Sequence, residues 1–208
     1  MSAYKEARDI CRVCQKLWQR DYVASNDGNV SARLPDGNIL CTPTGVSKGE
    51  VTEDMLALLT PEGEKISGGE PSSEIKMHLL CYKLRPDIGG IVHAHPPAAT
   101  AFAAAGLALD GRFLTEALMN FGAAPLAPFA MPGTDEVPAS IAPLIPENDA
   151  VLLKNHGALT LGGDAAKAYY RMEALEHFAL ISLNVRALGG GADIPAERAA
   201  ELAAFCRK

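Results

Sequence analysis

The sequence has no apolar run that approaches the length of a membrane span, and residues 1–9 are charged rather than an apolar leader. These two absences predict a cytoplasmic protein with no membrane partner. The chain also has no basic stripe: 19 lysines and arginines are scattered among 25 aspartates and glutamates, and the net charge is −6. This charge balance argues against a nucleic acid as partner.

The five cysteines are an odd number and lack the spacing of a disulfide framework, which suits a reducing compartment. Cys11 and Cys14 form a Cys-x-x-Cys pair, a spacing that also occurs in redox and zinc sites. However, Ile10, Leu17 and both cysteines fall on one apolar stripe with the helical period. We therefore interpret the two thiols as small core residues.

Neither a repeat nor a linker interrupts the 208 residues, and 48% of them are apolar, which is enough for one well-buried core. We predict one domain over residues 1–208. Helical segments alternate with hairpin-like strands, so the pattern favours an α/β domain whose mixed sheet is covered on both faces. The predicted helices run from Ser2 to about Arg20, from Ser72 or Ser73 to about Arg85, over roughly 98–105, and from an Asp164 cap to before Gly189. Residues 121–146 hold six of the 14 prolines and are predicted to be loop-rich.

Two histidines, His93 and His95, end a predicted strand that starts with Ile91 and Val92. Side chains two residues apart on a strand point to the same face, so the two imidazoles are expected side by side. A third, His156, follows another apolar run. Three imidazoles with room for a further ligand are typical of a catalytic metal centre. The alternative is that the strand-end histidines simply hydrogen-bond to the backbone.

Short donor-rich loops accompany the histidines. Glycines let backbone N–H groups approach an anion closely, and serines at a helix start add hydroxyl donors. Each loop taken singly could be an ordinary turn or cap. Together they predict a phosphate pocket that needs no arginine or lysine. Its candidate residues are Gly28, Asn29, Thr44, Gly45, Ser72 and Ser73.

Glu74 directly follows the two serines. It can act as a fourth metal ligand or as a proton acceptor, and burial is expected to raise its pKa towards neutrality when metal is released. The alternative role is that of a capping-box glutamate. His78 lies one helical turn later and is interpreted either as a residue behind the site or as a buried or interface histidine.

Five motifs appear in one order and together resemble the class II aldolase/adducin family, specifically its L-fuculose-phosphate aldolase branch. The resemblance covers nearly the whole chain. It implies a three-layer α/β/α fold with a central mixed, largely antiparallel sheet, and a homotetramer with active sites between subunits. The motifs are Gly28-Asn29-Val30-Ser31-Ala32-Arg33, Thr42-Pro43-Thr44-Gly45, Pro71-Ser72-Ser73-Glu74, His93-Ala94-His95 and Asn155-His156-Gly157.

The resemblance also implies the cofactor and the reaction. Zinc, with manganese or cobalt as alternatives, would be held by His93, His95, His156 and Glu74, and Glu74 would turn into the catalytic base. The phosphate would lie against the six donor residues named above. The implied activity is metal-dependent cleavage of a ketose 1-phosphate, either L-fuculose 1-phosphate or a 5-deoxypentulose 1-phosphate, to dihydroxyacetone phosphate and a short aldehyde. The metal would stabilise the enediolate as a Lewis acid.

Other functions of the same scaffold stay open. They are a pentulose-5-phosphate 4-epimerase, a sugar-acid-phosphate decarboxylase or dehydratase, and a non-enzymatic adducin-like binding module. The epimerase branch has an aspartate at the position that matches Glu74, so the glutamate favours the aldolase. The resembled aldolase uses a tyrosine of the neighbouring subunit as proton donor, but residues 112–116 contain none, and residues 205–208 lack its C-terminal tyrosine. Glu116 is the nearest ionisable substitute and is predicted as the acid, with a surface or interface role as the alternative.

Overall fold

A computed structural model describes residues 2–206 of the protein, with side chains for residues 5–202. The helices are α1 (Ser2–Gln19), α2 (Ile75–Leu84), α3 (Pro97–Ala104), α4 (Thr115–Asn120), α5 (Glu136–Ile141), α6 (Ala165–Ala187) and α7 (Ala196–Cys206). Two 3-10 turns occur at Glu53–Met55 and Ile145–Glu147. The strands are β1 (Asn29–Arg33), β2 (Ile39–Cys41), β3 (Ala57–Leu59), β4 (Lys65–Ser67), β5 (Gly90–Ala94), β6 (Leu109–Asp110), β7 (Ala123–Ala124), β8 (Leu126–Ala127), β9 (Ala150–Leu153) and β10 (Gly157–Gly162).

The central sheet of the described chain has the strand order β4-β3-β2-β1-β5-β10-β9-β8. Every neighbouring pair is antiparallel except β8 and β9, which are parallel. The mixed, largely antiparallel sheet is therefore confirmed. Strand β5 lies in the middle, between β1 and β10, and all of its residues are buried. Strand β5 therefore gives rigid support to His93, which lies on it, and to His95, which follows it.

Two hydrophobic cores lie on the two faces of this sheet. Val92 faces the core formed with α1, α3 and α6, whereas Ile91 faces the core formed with α2 and α5. Adjacent residues of β5 can reach opposite cores because side chains alternate along a strand. The three-layer α/β/α fold is confirmed. None of the helices in the described residues is long and apolar enough to cross a lipid bilayer.

The predicted helices are all present, with small differences at their ends. The Asp164 cap is confirmed, since its side chain accepts a hydrogen bond from the backbone N–H of Lys167 at 2.7 Å. Helix α2 begins at Ile75, later than expected, because Ser72 N–H donates to the Thr42 carbonyl and draws the chain away from the helix axis. Within the loop-rich stretch 121–146, the short helix α5 was missed.

The interpretation of the Cys-x-x-Cys pair as core is confirmed. Cys14 is fully buried and Cys11 is partly buried on α1. Burial raises the pKa of Cys14 to about 12 and that of Cys11 to about 11. Because the thiolate is both the nucleophile and the metal ligand, these values argue against redox or zinc chemistry here.

Candidate active site

Three imidazoles converge where strands β5, β9 and β10 end or begin in the interior of the central sheet. His93 lies on β5 with no exposed surface, and its Nε2 is 3.3 Å from Nε2 of His95. The His156 ring centroid lies 4.7 Å from that of His93 and 5.2 Å from that of His95. One ligand atom from each of the three lies within 4.8 Å of the others. The predicted clustering of the histidines is confirmed.

The turn between β9 and β10 delivers the third imidazole. Asn155 adopts the left-handed conformation (φ 58°), which asparagine tolerates better than most residues, and His156 follows it. The next residue is glycine for a steric reason: a Cβ at Gly157 would lie 2.5 Å from Cδ2 of His95. The Asn-His-Gly sequence therefore presents one imidazole while leaving room for another.

The nitrogen and oxygen atoms that face one another in this cluster are hydrogen-bond acceptors, and a cation between them would satisfy their lone pairs. Nδ1 of His93 lies 2.9 Å from the Ala158 carbonyl oxygen, which only accepts, so the ring proton sits there and Nε2 keeps a lone pair. That lone pair faces His95, and it also faces Oε2 of Glu74 at 3.2 Å. Two ligands of a tetrahedral zinc ion lie about 3.3 Å apart when each is about 2.0–2.1 Å from the metal. The three histidines fit a divalent metal ion.

Glu74 lies immediately before α2, but its side chain does not cap that helix. Instead Oε2 accepts a hydrogen bond from the Asn29 side-chain amide at 3.0 Å, and Oε1 lies 3.4 Å from Nε2 of His156. The side chain thus faces the imidazole cluster. Burial alone would raise the pKa of Glu74, yet His93, His156 and Asn29 outweigh burial and hold it below its ordinary value. The expectation of a raised pKa is wrong for this arrangement, because the neighbouring imidazoles stabilise the charged carboxylate.

The three imidazoles differ in their affinity for protons. For His93, burial opposes protonation, but the Glu74 carboxylate outweighs burial and raises the pKa. Burial together with the nearby His93 lowers the pKa of His95. The same two causes lower the pKa of His156 to about 4. At neutral pH the latter two are therefore neutral, the form that binds metal ions.

A cavity of about 260 Å³ opens onto the cluster. All six predicted phosphate-binding residues line it, together with Glu74, His95 and His156. At Gly28 (φ 72°), a Cβ would lie 2.7 Å from the Val23 side chain and 2.9 Å from the His93 carbonyl oxygen, so only glycine lets this loop approach β5. Larger depressions of about 510 and 760 Å³ lie elsewhere, but no histidine lines either of them.

Five further lining residues were not predicted: Asn26, Asp27, Pro43, Pro132 and Gly133. Asp27 matters chemically, because its Oδ2 lies 3.5 Å from Nδ1 of His95. A carboxylate beside a ligating imidazole fixes its orientation and tautomer. The Asp27-Gly28 dipeptide was a visible turn signal, but nothing local indicated that the carboxylate would meet a histidine about 70 residues further along the chain.

Two other candidates lie outside the cavity. His78 is fully buried, with Nδ1 2.7 Å from Ser31 Oγ, and that hydroxyl is 2.8 Å from the Tyr82 hydroxyl. Burial, together with the nearby His93, lowers the pKa of His78 to about 3, so it is a neutral core residue that ties α2 to β1. Glu116 is exposed on α4 and does not line the cavity of its own chain. Its role as acid stays a prediction.

Glu176 on α6 supports the site from behind and was not predicted. Its side chain is 4% exposed and accepts hydrogen bonds from the backbone N–H groups of Ala98 and Ala99, at 2.9 and 2.8 Å. These amides are at the start of α3, which begins at Pro97, two residues after His95. The carboxylate caps a helix that has no side-chain cap of its own.

Comparison with known proteins agrees with this geometry. The profile of the Class II Aldolase and Adducin N-terminal domain matches residues 8–183. The chain is 35% identical over 176 residues to a 3-oxo-tetronate 4-phosphate decarboxylase of Escherichia coli O6:H1, which covers 82% of each chain. It is 35% identical over 178 residues to an L-fuculose phosphate aldolase of Methanococcus maripaludis, over 84% of this chain and 94% of that one. A solved L-fuculose 1-phosphate aldolase superposes with a TM-score of 0.91 at 26% identity, over 98% of this chain and 97% of the other.

The matched segment contains every residue that lines the cavity and all three histidines. The identities to both groups of relatives extend over more than four fifths of the chain, so the likeness is one of the whole fold and not of a motif. The chain belongs to the class II aldolase and adducin family.

Proposed function

We propose that this protein is a zinc-dependent aldolase that cleaves a ketose 1-phosphate between C3 and C4 to dihydroxyacetone phosphate and a short aldehyde. L-fuculose 1-phosphate and a 5-deoxypentulose 1-phosphate are the proposed substrates. The protein is an enzyme of the class II aldolase superfamily, with a three-histidine cluster suited to a divalent metal ion. The observation that carries the proposal is that His95, His156 and Glu74 border the same cavity as the six donor residues, with His93 packed directly behind them.

His93, His95 and His156 would hold the metal ion, with Glu74 as the fourth ligand. When bound, zinc supplies Lewis acidity that stabilises the negative charge of the enediolate. No lysine lines the cavity in the described part of the chain, so a Schiff-base route has no amine to start from. The substrate phosphate would lie against Gly28, Asn29, Thr44, Gly45, Ser72 and Ser73.

Glu74 would move the proton at C3. In cleavage, the C4 hydroxyl loses its proton, the electron pair of the C3–C4 bond passes to the enediolate, and Glu74 takes up a proton from solvent and delivers it to C3. Its hydrogen bond from Asn29 fixes one carboxylate oxygen, so the group is oriented before substrate arrives.

The proton from the C4 hydroxyl needs a second acceptor. We assign it to Glu116 of a neighbouring subunit in a homotetramer, since Glu116 is outside the cavity of its own chain.

The second candidate is decarboxylation of a 3-oxo-tetronate 4-phosphate. Relatives of that name are as similar to this chain as the aldolases are. Loss of carbon dioxide from C1 leaves the same enediolate of dihydroxyacetone phosphate, which Glu74 would protonate at C2. This reaction takes no proton from a hydroxyl group. It therefore needs no counterpart of the tyrosine that residues 112–116 lack.

A product assay separates the two candidates. The zinc-loaded protein is offered L-fuculose 1-phosphate, a 5-deoxypentulose 1-phosphate and 3-oxo-tetronate 4-phosphate, while dihydroxyacetone phosphate and carbon dioxide are both measured. Dihydroxyacetone phosphate from a ketose 1-phosphate supports the aldolase. Dihydroxyacetone phosphate accompanied by equimolar carbon dioxide, and only from the keto acid, supports the decarboxylase.

A chelator-treated sample is the control, and zinc or cobalt is then added back. Turnover is expected to disappear with the metal and to return with it. If no substrate yields dihydroxyacetone phosphate with either metal, both candidates are wrong. If turnover survives complete removal of the metal, the assignment of the histidines as ligands is wrong.

A further inference from the structure

Lys48 is a buried cation behind the cavity with no part in the chemistry described above. Its side chain is 1% exposed and is among the largest that are fully buried. Nζ donates hydrogen bonds to the backbone carbonyl oxygens of Val46 at 2.8 Å and of Asn26 at 3.1 Å. Lys48 forms no ion pair within the described residues. A lysine buried in this way is unusual, because desolvation of an ammonium group is costly unless opposite charge compensates it.

The two carbonyl groups belong to two separate loops of the anion pocket. Asn26 directly precedes Asp27-Gly28-Asn29, and Val46 directly follows Thr44-Gly45. All five of these residues line the cavity, and four of them are predicted phosphate donors. One ammonium group therefore joins both loops. Strands β1 and β2 separate these loops in sequence. A common hydrogen-bond donor fixes their relative position.

The charge of Lys48 also has a consequence for the pocket. The charged side chains that line the cavity are Asp27 and Glu74, and no arginine or lysine lines it within the described residues. A phosphate dianion entering this site meets neutral donors and two carboxylates. Burial lowers the pKa of Lys48, while Cys14 and Asp27 act in the opposite direction. The Lys48 ammonium group, in contrast, is in direct contact with both donor loops through the Asn26 and Val46 carbonyls.

We propose that Lys48 is the positioning residue of the phosphate pocket: its ammonium group joins the Asn26 and Val46 carbonyls and supplies the positive charge that favours a bound phosphate dianion. This inference rests on the phosphate pocket of the proposed function and extends it. Lys48 touches neither the substrate nor the metal. It acts through the two loops and through its electrostatic field, which is weakly screened in a buried setting.

The test measures the binding of inorganic phosphate to zinc-loaded protein by titration calorimetry, with zinc affinity measured separately. Lys48→Met keeps an unbranched side chain that is one atom shorter but removes the charge and the donors. Lys48→Gln removes the charge and keeps an N–H donor for the carbonyls. Lys83→Met is the matched control, because it removes one lysine charge from an exposed position at the end of α2.

We expect both Lys48 variants to weaken phosphate binding by about tenfold or more, with zinc affinity within about twofold of the wild type, and Lys83→Met to change neither. Wild-type phosphate affinity in Lys48→Gln would show that the charge is not used and would overturn the proposal. An equal loss of zinc and phosphate binding would mean a purely structural role and would also overturn it. If the wild-type protein itself binds no phosphate, the pocket of the proposed function is wrong as well, a result distinct from the failure of Lys48 alone.

Discussion

At the scale of single residues, hydrogen bonds decide which atoms are available to a metal ion. The Ala158 carbonyl accepts a hydrogen bond from Nδ1–H of His93, and Asp27 lies beside Nδ1 of His95. Both contacts orient Nε2 towards the cluster. Glu74 is held by Asn29 and not by the start of its own helix. The site is therefore preorganised by partners that do not bind metal themselves.

The first prediction separates metal binding from proton transfer. His95→Ala should lower zinc affinity by at least about a hundredfold, because it removes one of three imidazoles. Glu74→Gln should keep part of the zinc binding, since the three imidazoles remain, and lower turnover by about 10²–10⁴-fold, the range for loss of a general acid–base group. Zinc is measured by competition with a chelating dye, and turnover by formation of dihydroxyacetone phosphate.

His177→Ala is the control, since His177 is an exposed residue on α6 and should affect neither quantity. Wild-type turnover in Glu74→Gln would contradict the assignment of Glu74 as the general base. Unchanged zinc affinity in His95→Ala would mean that the ion binds elsewhere.

At the scale of elements, the position of His95 depends on α3, which starts two residues after it. This helix is short, and Pro96 at its N-cap offers no side-chain acceptor. Glu176, a residue of α6, caps α3 instead by accepting two hydrogen bonds from backbone N–H groups at its start. Since isolated short helices are marginal in water, the long-range cap and the packing against α6 determine where α3 begins.

Replacement of this cap provides the second prediction. Glu176→Gln should lower the free energy of unfolding by about 1–3 kcal/mol, because two charge-assisted hydrogen bonds are weakened in a buried place. Urea denaturation of the metal-free protein measures the loss. We expect zinc affinity to fall as well, since the segment that carries His95 is no longer anchored.

Glu173→Gln, one turn earlier on α6, is the matched variant. Glu173 pairs with Arg20 at the surface, so its loss should cost less than about 1 kcal/mol. Equal destabilisation by the two substitutions would contradict a special role for the Glu176 cap.

At the scale of the whole molecule, large apolar side chains are exposed next to the cavity. Phe129 and Met131 are 55% and 52% exposed, and they immediately precede Pro132 and Gly133 in the cavity wall. Exposed apolar residues gathered beside a site are common where a second subunit packs. This placement agrees with the proposed homotetramer with active sites between subunits.

The third prediction is that Phe129→Ser weakens this assembly. Sedimentation equilibrium should show a tetramer for the wild type and smaller species for the variant, with turnover reduced in parallel. Ile66→Ser, at a similarly exposed apolar residue on β4, is the control. A wild-type monomer with full turnover would exclude the contribution of Glu116 from a second subunit.

The clustering of the three histidines and the position of the donor residues around the cavity could be predicted because their signals are local. His93 and His95 are two residues apart on a strand, so the strand period places them on one face. Gly28, Ser72 and His156 each stand at a turn that is visible in the sequence. The order of these motifs along the chain added what no single motif could, namely the family and its three-layer fold.

The sequence by itself therefore predicted the histidine cluster, the donor residues that line the cavity and the layered sheet, because strand period, turn chemistry and motif order are properties of short segments. Only the tertiary structure decided the burial of Lys48, the contact of Asp27 with His95, the capping of α3 by Glu176 and the lowered pKa of Glu74. Each of these depends on groups that are far apart in the chain and meet only after folding. Their energies come from burial and close charge–charge contact, which no local pattern encodes.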